Sequence, residues 1–399
     1  MNPNMGLATA LRQRADRKML RSRQVREARY NFSGNDYLGL TNHPEIKRAF
    51  QRGIDAWGVG STGSPLVSGY QAPHRALEAL LAEWLNVEAV ALFSTGFAAN
   101  SALMSLLCQN GFFPYLDRLS HASLFHGLGT FSSSSKHEHK FKRFKHNDFS
   151  HLSQLIQRSS APNAMVVTEG VFSMDGDSPC LNALQQVLTQ DYSLWIDDAH
   201  ALGWFGEHGA GLAAALNSRE QLFVTGTFGK ALGCHGAFVG GAKNWIDGIV
   251  NFAPEYIYST AMPAAQACAV SAAIQVVQHE ACWKLRLLDN IQYFKQEAIA
   301  SGLPVSGLES PIQALEVNKL LELNLSEEEE LRALMNLAKV LADNGFLCGA
   351  IRPPTVPKGT SRLRVSLSAA HGTDCIRELI LTVMRWRERF LKHDIASSC

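Results

Sequence analysis

Short apolar runs alternate with helix-forming stretches through the middle of this chain, and that alternation admits few architectures. Val90–Ser94, Phe112–Leu116, Ala164–Thr168, Leu194–Asp197, Leu222–Thr225 and Ala237–Gly240 read as strands. Most of the intervals between them leave room for a crossover helix. The expectation is therefore an α/β domain with a mostly parallel central sheet and helices on both faces. The tail changes character. Ser326 and Glu329 are spaced for a capping box, Leu331, Leu334, Met335, Ala338 and Leu341 share one helix face, and Gly345 follows as a stop. With Ile312–Val317 and Leu363–Leu367 as strands, this part reads as a smaller C-terminal α+β domain. The chain divides into an N-terminal segment 1–45, a large α/β domain 46–285 and a small domain 286–399.

Composition narrows the partners. The chain has 399 residues, 46% hydrophobic and 18% charged, which suits a folded protein with a large core. Lys and Arg number 37 against 36 Asp and Glu, so a dedicated nucleic-acid or membrane-surface binder is not expected. The uncharged stretch from Tyr256 to Gln278 is broken by Ser259, Thr260, Pro263, Gln266, Ser271 and Gln275, which argues against a bilayer span. The opening MNPNMGLATALRQRADRKMLRSRQ has no long apolar core, so no secretory signal is expected. Eight cysteines without a CxxC pair read as reduced thiols, and the expected location is cytoplasmic.

In open parallel sheets, ligands bind beyond the carboxyl ends of the strands. Here those ends carry reactive side chains. Leu194–Ile196 leads to Asp197, Asp198 and His200; Leu222–Val224 leads to Thr225, Thr227 and Lys230; Met165–Val167 leads to Thr168, Glu169 and Ser173. Tyr115–Leu116 leads to Asp117, Ser120 and His121, and Val90–Phe93 leads to Ser94-Thr95-Gly96-Phe97 at the start of a helical run. Any one of these residues alone is more often a turn or cap residue than a catalyst. Together they form a set. The helix start at Gly96-Phe97 offers free N–H groups to a phosphate, and Thr227 adds a hydroxyl. Asp197 suits a protonated ring nitrogen, His200 a phenolic oxygen, and His121 the face of a flat heterocycle. Lys230 supplies an amine able to condense with an aldehyde. The set matches pyridoxal 5'-phosphate.

The motifs bear this out at the level of family. NFSGNDYLGL (31–40), GSTGSPLVSGY (60–70), STGFAAN (94–100), DRLSHASL (117–124), TEGVFSMDGD (168–177), IDDAH (196–200), TFGKALG (227–233), IYSTAMP (257–263) and IRPPTVPKGTSRLR (351–364) occur in order along nearly the whole chain. In these stretches the sequence resembles the α-oxoamine synthases, pyridoxal-phosphate enzymes that join an amino acid to an acyl thioester with loss of carbon dioxide. The resemblance implies the fold type I transferase architecture. It implies Lys230 as the cofactor-binding lysine, Asp197 as the pyridinium partner, His121 as the stacking histidine near substrate, and His200 and Ser173 around the ring oxygen. Gly96, Phe97 and Thr227 match cofactor-binding positions. Ser259 and Thr260 match a segment that reaches the phosphate across a dimer interface, so a homodimer with shared active sites is implied. Arg364 matches the arginine for the amino-acid carboxylate, and Arg21 and Thr355 match substrate-contacting positions.

IRPPTVP and IYSTAMP look most like the branch of the family that joins L-alanine to a pimeloyl thioester, on acyl carrier protein or coenzyme A, in biotin biosynthesis. The branches that use glycine with an acetyl or succinyl donor, or that make sphingoid bases, are the alternative. One methyl group separates alanine from glycine, and a single methyl discriminates by only about 1–3 kcal/mol.

Three features point elsewhere. Gly58–Gly63 matches GxGxxG, the mark of a nicotinamide-dinucleotide oxidoreductase, but the residues before it read as a helix rather than a strand. The basic segment 136–146 reads as a solvated surface strand or loop; its lysines oppose a metal site at His137, His139 and His146. It also offers cations, Lys140, Lys142 and Arg143, to an acidic carrier protein. Asp175-Gly176-Asp177 lacks the remaining ligands of a calcium loop and reads as a tight turn.

Overall fold

All six apolar runs of the middle region lie in one seven-stranded sheet of the computed structural model, which describes residues 3–16, 20, 23, 25–132, 141–159, 161, 163–190, 192–217, 220–305 and 309–394. The strands among the described residues are β1 (Tyr30–Phe32), β2 (Ala89–Phe93), β3 (Phe113–Asp117), β4 (Lys142–Phe144), β5 (Ala164–Glu169), β6 (Ser193–Asp197), β7 (Leu222–Thr227), β8 (Ala237–Gly241), β9 (Ile312–Glu316), β10 (Phe346–Ile351) and β11 (Arg362–Ser366). The large sheet runs β2-β8-β7-β6-β5-β3-β4. β7, β6, β5, β3 and β4 are parallel, and β8 is antiparallel to both β7 and β2.

The burial pattern explains why these runs are so uniformly apolar. Val166, Leu194, Ile196 and Val224 pack into one core cluster, and Met165, Val167, Trp195 and Phe223 into another. That is period-two alternation with both faces covered by helices. The helix Gly96–Gln109 is buried along most of its length, from Ala99 to Cys108, and Thr95 caps it by accepting the Ala98 N–H at 3.2 Å. Its start is thereby held at the carboxyl end of β2. β4 escapes a hydrophobic reading because it is three residues, two of them cationic, at the sheet edge. Short charged edge strands resist pairing with other chains.

The second sheet runs β1-β10-β11-β9. β9 and β11 fall where the apolar pattern puts them. β1 comes from the N-terminal segment and pairs parallel with β10 (Tyr30 opposite Phe346), a long-range contact that local pattern does not encode. Two arginines on β11 bridge to the loop after β5, Arg362 to Asp175 and Arg364 to the Ser173 carbonyl. The Gly58–Gly63 stretch follows the helix Pro44–Trp57 and leads to a turn at Pro65–Gly69, so no strand precedes it and the dinucleotide reading lapses. Among the described residues no helix is long and apolar enough to cross a membrane.

The expected helix 326–344 forms as Glu327–Asp343, with the Ser326–Glu329 capping box closed in both directions. Ser326→Ala should cost about 1 kcal/mol of stability, read as a lower denaturation midpoint with an unchanged slope. An unaltered midpoint would show that the cap adds nothing here.

Candidate active site

Lys230 lies in the connection between β7 and β8. Backbone hydrogen bonds from Phe228 to Gly236, from Cys234 to Phe228 and from Gly233 to the Lys230 carbonyl shape this turn. Gly233 has φ +64° and its Cβ position would fall 2.5 Å from the Thr41 nitrogen, so the lysine loop is packed against the 40–41 turn in a conformation that excludes a side chain. Burial lowers the Lys230 amine to about 8; Asp197 and Glu169 oppose that shift and Arg364 adds to it.

The two carboxylates end neighbouring strands. Glu169 on β5 is registered with Asp197 on β6, so both face the same side of the sheet. Asp197 is 6% exposed; Oδ1 accepts the Ala199 N–H at 3.0 Å and Oδ2 accepts from Asn100 Nδ2 at 2.7 Å. Glu169 is pushed well above the usual carboxylate range, by burial first and by the neighbouring Asp197, with Lys230 opposing. Its Oε1 accepts the His121 backbone N–H at 2.6 Å. His121 is exposed beside it and lines the cleft described below. Asp198 anchors the turn that carries His200, accepting N–H groups from Leu212 and Ala213 at 3.1 and 2.9 Å.

At the β2 end, the helix start and Thr227 line one recess: a methyl group on Gly96 would stand 3.9 Å from Thr227 Cβ. The first N–H groups of a helix have no partner within it, so this recess presents backbone donors, a hydroxyl and a positive dipole end. Phe97, at the same helix start, is 47% exposed. Thr227 Oγ1 accepts the Gly229 N–H at 3.2 Å and donates to the Gly236 carbonyl at 2.9 Å. Ser94 Oγ donates to the Thr260 carbonyl at 3.3 Å, which sets the exposed Ser259-Thr260 segment beside the recess.

Arg364 closes the side facing the small sheet. It is 6% exposed and its four donor contacts reach Ser173 O (2.7 Å), Ser366 Oγ (2.7 Å), Asn35 Oδ1 (3.1 Å) and Tyr37 Oη (3.3 Å). Tyr37 Oη is also 2.7 Å from His200 Nδ1. Burial holds His200 well below its usual range, and the Lys230, Arg364 and His121 charges act in the same sense, so the imidazole is neutral. Burial raises the Tyr37 phenol to about 12, with Arg364 opposing, so it keeps its proton.

A cleft of about 1070 Å³ opens from His121 and is lined among others by Phe125, Arg143, Phe172, Val305 and Thr355. The structure thus brings together Gly96, Phe97, His121, Ser173, Asp197, His200, Thr227, Lys230, Ser259, Thr260, Thr355 and Arg364 around one sheet edge and its cleft. Arg21, Lys140 and the rest of 133–140 lie outside the described residues.

Several working residues were not singled out by sequence reasoning: Asn35, Tyr37, Asn100 and Ser123, all of which stand inside the matching motifs, the available signal. Glu169 was named only as a strand-end side chain and His146 only as part of the basic segment, neither with a role. His146 ends the basic segment, and it is no surface cation. Its Nδ1 lies 3.0 Å from Asp117 Oδ1 and its Nε2 lies 2.7 Å from Asp177 Oδ2. Asp177 belongs to the 175–177 turn, and Asp175 pairs with Arg362. The turn is therefore clamped from two sides.

The residues fit pyridoxal phosphate: an anion recess, a buried carboxylate for the ring nitrogen, and an amine within the field of both carboxylates. Comparison with known proteins agrees. The model for aminotransferase class I and II matches residues 29–383. An 8-amino-7-oxononanoate synthase of Aeromonas hydrophila subsp. hydrophila is 44% identical over 391 residues, covering 94% of this chain and 93% of that one. One from Methylococcus capsulatus is 42% identical, covering 88% and 87%. Among solved structures, serine palmitoyltransferase from S. paucimobilis with bound PLP–myriocin aldimine has a TM-score of 0.82 at 25% identity, covering 96% of this chain and 97% of that one. The 8-amino-7-oxononanoate synthase of Francisella tularensis has a TM-score of 0.73 at 27% identity, covering 89% and 97%.

The His146 clamp has a pH signature. Burial opposes its charge, but Asp117 and Asp177 outweigh it and lift the imidazole to about 10. A folded-state value raised above the unfolded one gives stability that is complete below about pH 6.5 and is lost as pH rises through about 10. The stability difference between the wild type and His146→Asn should therefore shrink from pH 6 to pH 10.5 in denaturant titrations. A difference that stays constant across that range would show that the imidazolium charge does not hold the clamp.

Proposed function

The chain belongs to the aminotransferase class I and II family, and we propose that it works as an 8-amino-7-oxononanoate synthase, condensing L-alanine with a pimeloyl thioester and releasing carbon dioxide and the thiol in biotin biosynthesis. The observation that carries this reading is the half-buried Lys230, its amine within the field of Asp197 and Glu169 at the sheet edge, in a chain more than 40% identical to such synthases over most of its length.

Bound pyridoxal phosphate supplies an aldehyde for amines and a protonated ring that takes up the electron pair left at Cα. The chain's own groups do the rest. Lys230 holds the cofactor between cycles; lowered to about 8, its amine gives up a proton near neutral pH and can then accept one from the alanine Cα and return it. Asp197 keeps the ring nitrogen protonated by favouring its charged form. Gly96, Phe97 and Thr227 would hold the phosphate, and His200 and Ser173 would serve the ring oxygen. Arg364 would hold the amino-acid carboxylate by a charge-assisted pair and so orient the amino acid. His121 would pack against the cofactor. Thr355, which lines the cleft, would contact substrate, as would Arg21, which lies outside the described residues.

A homodimer completes the site. Val59, Val67 and Tyr258 are each at least 80% exposed. They stand on two segments tied together by the Ala261 N–H to the Gly63 carbonyl and by Ser61 Oγ to the Met262 carbonyl. An apolar surface of this kind beside the phosphate recess suits a second copy, with Ser259 and Thr260 serving the partner's phosphate. Seven cysteines among the described residues are free thiols, in keeping with a cytoplasmic enzyme.

The acyl donor rides on acyl carrier protein or on coenzyme A. Arg143 on β4 lies over the Phe125 ring at 5.1 Å and lines the cleft, in position to steer an acidic carrier. Product analysis decides the substrates: L-alanine with a pimeloyl thioester should outperform glycine with acetyl or succinyl donors, and Lys230→Ala should abolish turnover. A preference for a glycine pairing would move the chain to another branch of the family. In the same assay, charge reversal at Lys142 and Arg143 should depress use of the carrier-bound donor and spare the coenzyme A thioester; equal effects on both would remove the carrier reading.

A further inference from the structure

We propose that Asn100 and Ser123 are positioning residues that hold the His121 ring with its proton on Nε2, facing the cleft, and tie it to the Asp197 carboxylate. The inference rests on the reading of the cleft as the acyl-donor site.

Asn100 is 3% exposed on a buried helix. Its Nδ2 is 2.7 Å from Asp197 Oδ2 and 2.9 Å from Ser123 Oγ. An ionised carboxylate only accepts hydrogen bonds, so the amide must turn its nitrogen to Asp197. The amide's two protons then serve Asp197 and Ser123 Oγ. The amide oxygen is left buried with no hydrogen-bond partner. Reversing the amide would set that oxygen against the carboxylate, so the orphaned carbonyl is the lesser cost.

Ser123 Oγ accepts from Asn100 and keeps its own proton to donate. His121 Nδ1 lies 2.7 Å away, and the Ser123 backbone N–H points at the same nitrogen at 3.3 Å. Two donors converge on Nδ1, so Nδ1 is the acceptor and the ring proton sits on Nε2. The backbone of His121 is fixed independently by its N–H to Glu169 Oε1 at 2.6 Å. Partial burial lowers the imidazole, Asp197 opposing and Lys230 adding, which favours the neutral ring that this tautomer requires.

The consequence is chemical. Nε2–H, on the side of the ring away from Ser123, is a fixed donor on a residue that lines the cleft. It can bond the thioester carbonyl oxygen as negative charge develops there, and a donor aimed in advance costs no reorganisation during reaction. The chain Asp197–Asn100–Ser123–His121 also fixes the Asp197 carboxylate plane, leaving the remaining lone pairs to the ring nitrogen.

The direct test is two-bond proton–nitrogen correlation on holoenzyme labelled with nitrogen-15 histidine, with His121→Gln assigning the signal. The wild type should show the Nε2–H pattern between about pH 6 and 8. Ser123→Ala should give a mixture of tautomers and lower kcat about tenfold, with KM for alanine within about twofold of the wild type. Ser123→Thr should restore both. An Nδ1–H pattern in the wild type overturns the proposal without any variant. So does a Ser123→Ala enzyme with unchanged spectrum and kcat. The spectrum reads the ring alone, so its outcome is separate from the choice of substrates, which the product assay decides.

Discussion

A lysine amine sunk into the carboxyl edge of a parallel sheet is the constraint from which the other features follow. Burial lowers Lys230 to about 8, and only nearby negative charge keeps it from falling further. Asp197 is the main source of that charge, and Glu169 stands beside it because β5 and β6 end in register. Two like charges so close cannot both be held cheaply, and Glu169 is the one pushed toward its neutral form. The site therefore contains an amine that can lose its proton, a carboxylate anchored by Ala199 and Asn100, and a second carboxyl that holds the His121 backbone. This division of roles comes from strand register and burial, not from any one motif.

The second sheet matters because it brings a cation to the first. Arg364 on β11 reaches Ser173 beyond β5 and Tyr37 from the N-terminal segment, and Tyr37 in turn touches His200 beyond β6. Arg362 and His146 grip the turn at 175–177 from opposite sides. The surroundings of Arg364, the arginine proposed to hold the amino-acid carboxylate, are thus assembled from four distant parts of the chain. Ordering it is a property of the whole fold, which is why a single loop change there should disturb cofactor and substrate residues together.

Much of this was legible in the sequence, and the gaps have physical causes. The six central strands are apolar on both faces, so their runs stand out, and the chemistry follows each carboxyl end within a few residues. The helix at 327–343 announces itself through a local capping box. β1, β4 and β10 do not. β4 is short and cationic, and β1 and β10 find each other across most of the chain. Among site residues, Lys230, Asp197 and His121 carry recognisable chemistry. Asn100, Ser123 and Glu169 act through hydrogen bonds to those residues, which no spacing along the chain reveals. His146 was read with its lysine neighbours as solvated, whereas two aspartates from separate strand ends enclose it. The turn at 175–177 forms as the sequence suggests, and its two carboxylates pair with Arg362 and His146, partners that the sequence does not reveal.

In the proposed function one amine, on Lys230, holds the cofactor aldehyde between reaction cycles. Borohydride reduction of the enzyme loaded with pyridoxal phosphate, followed by peptide mapping, measures this directly. A single stable label on the peptide containing Lys230 is expected. A label on another lysine, or none on protein saturated with the cofactor, would contradict it.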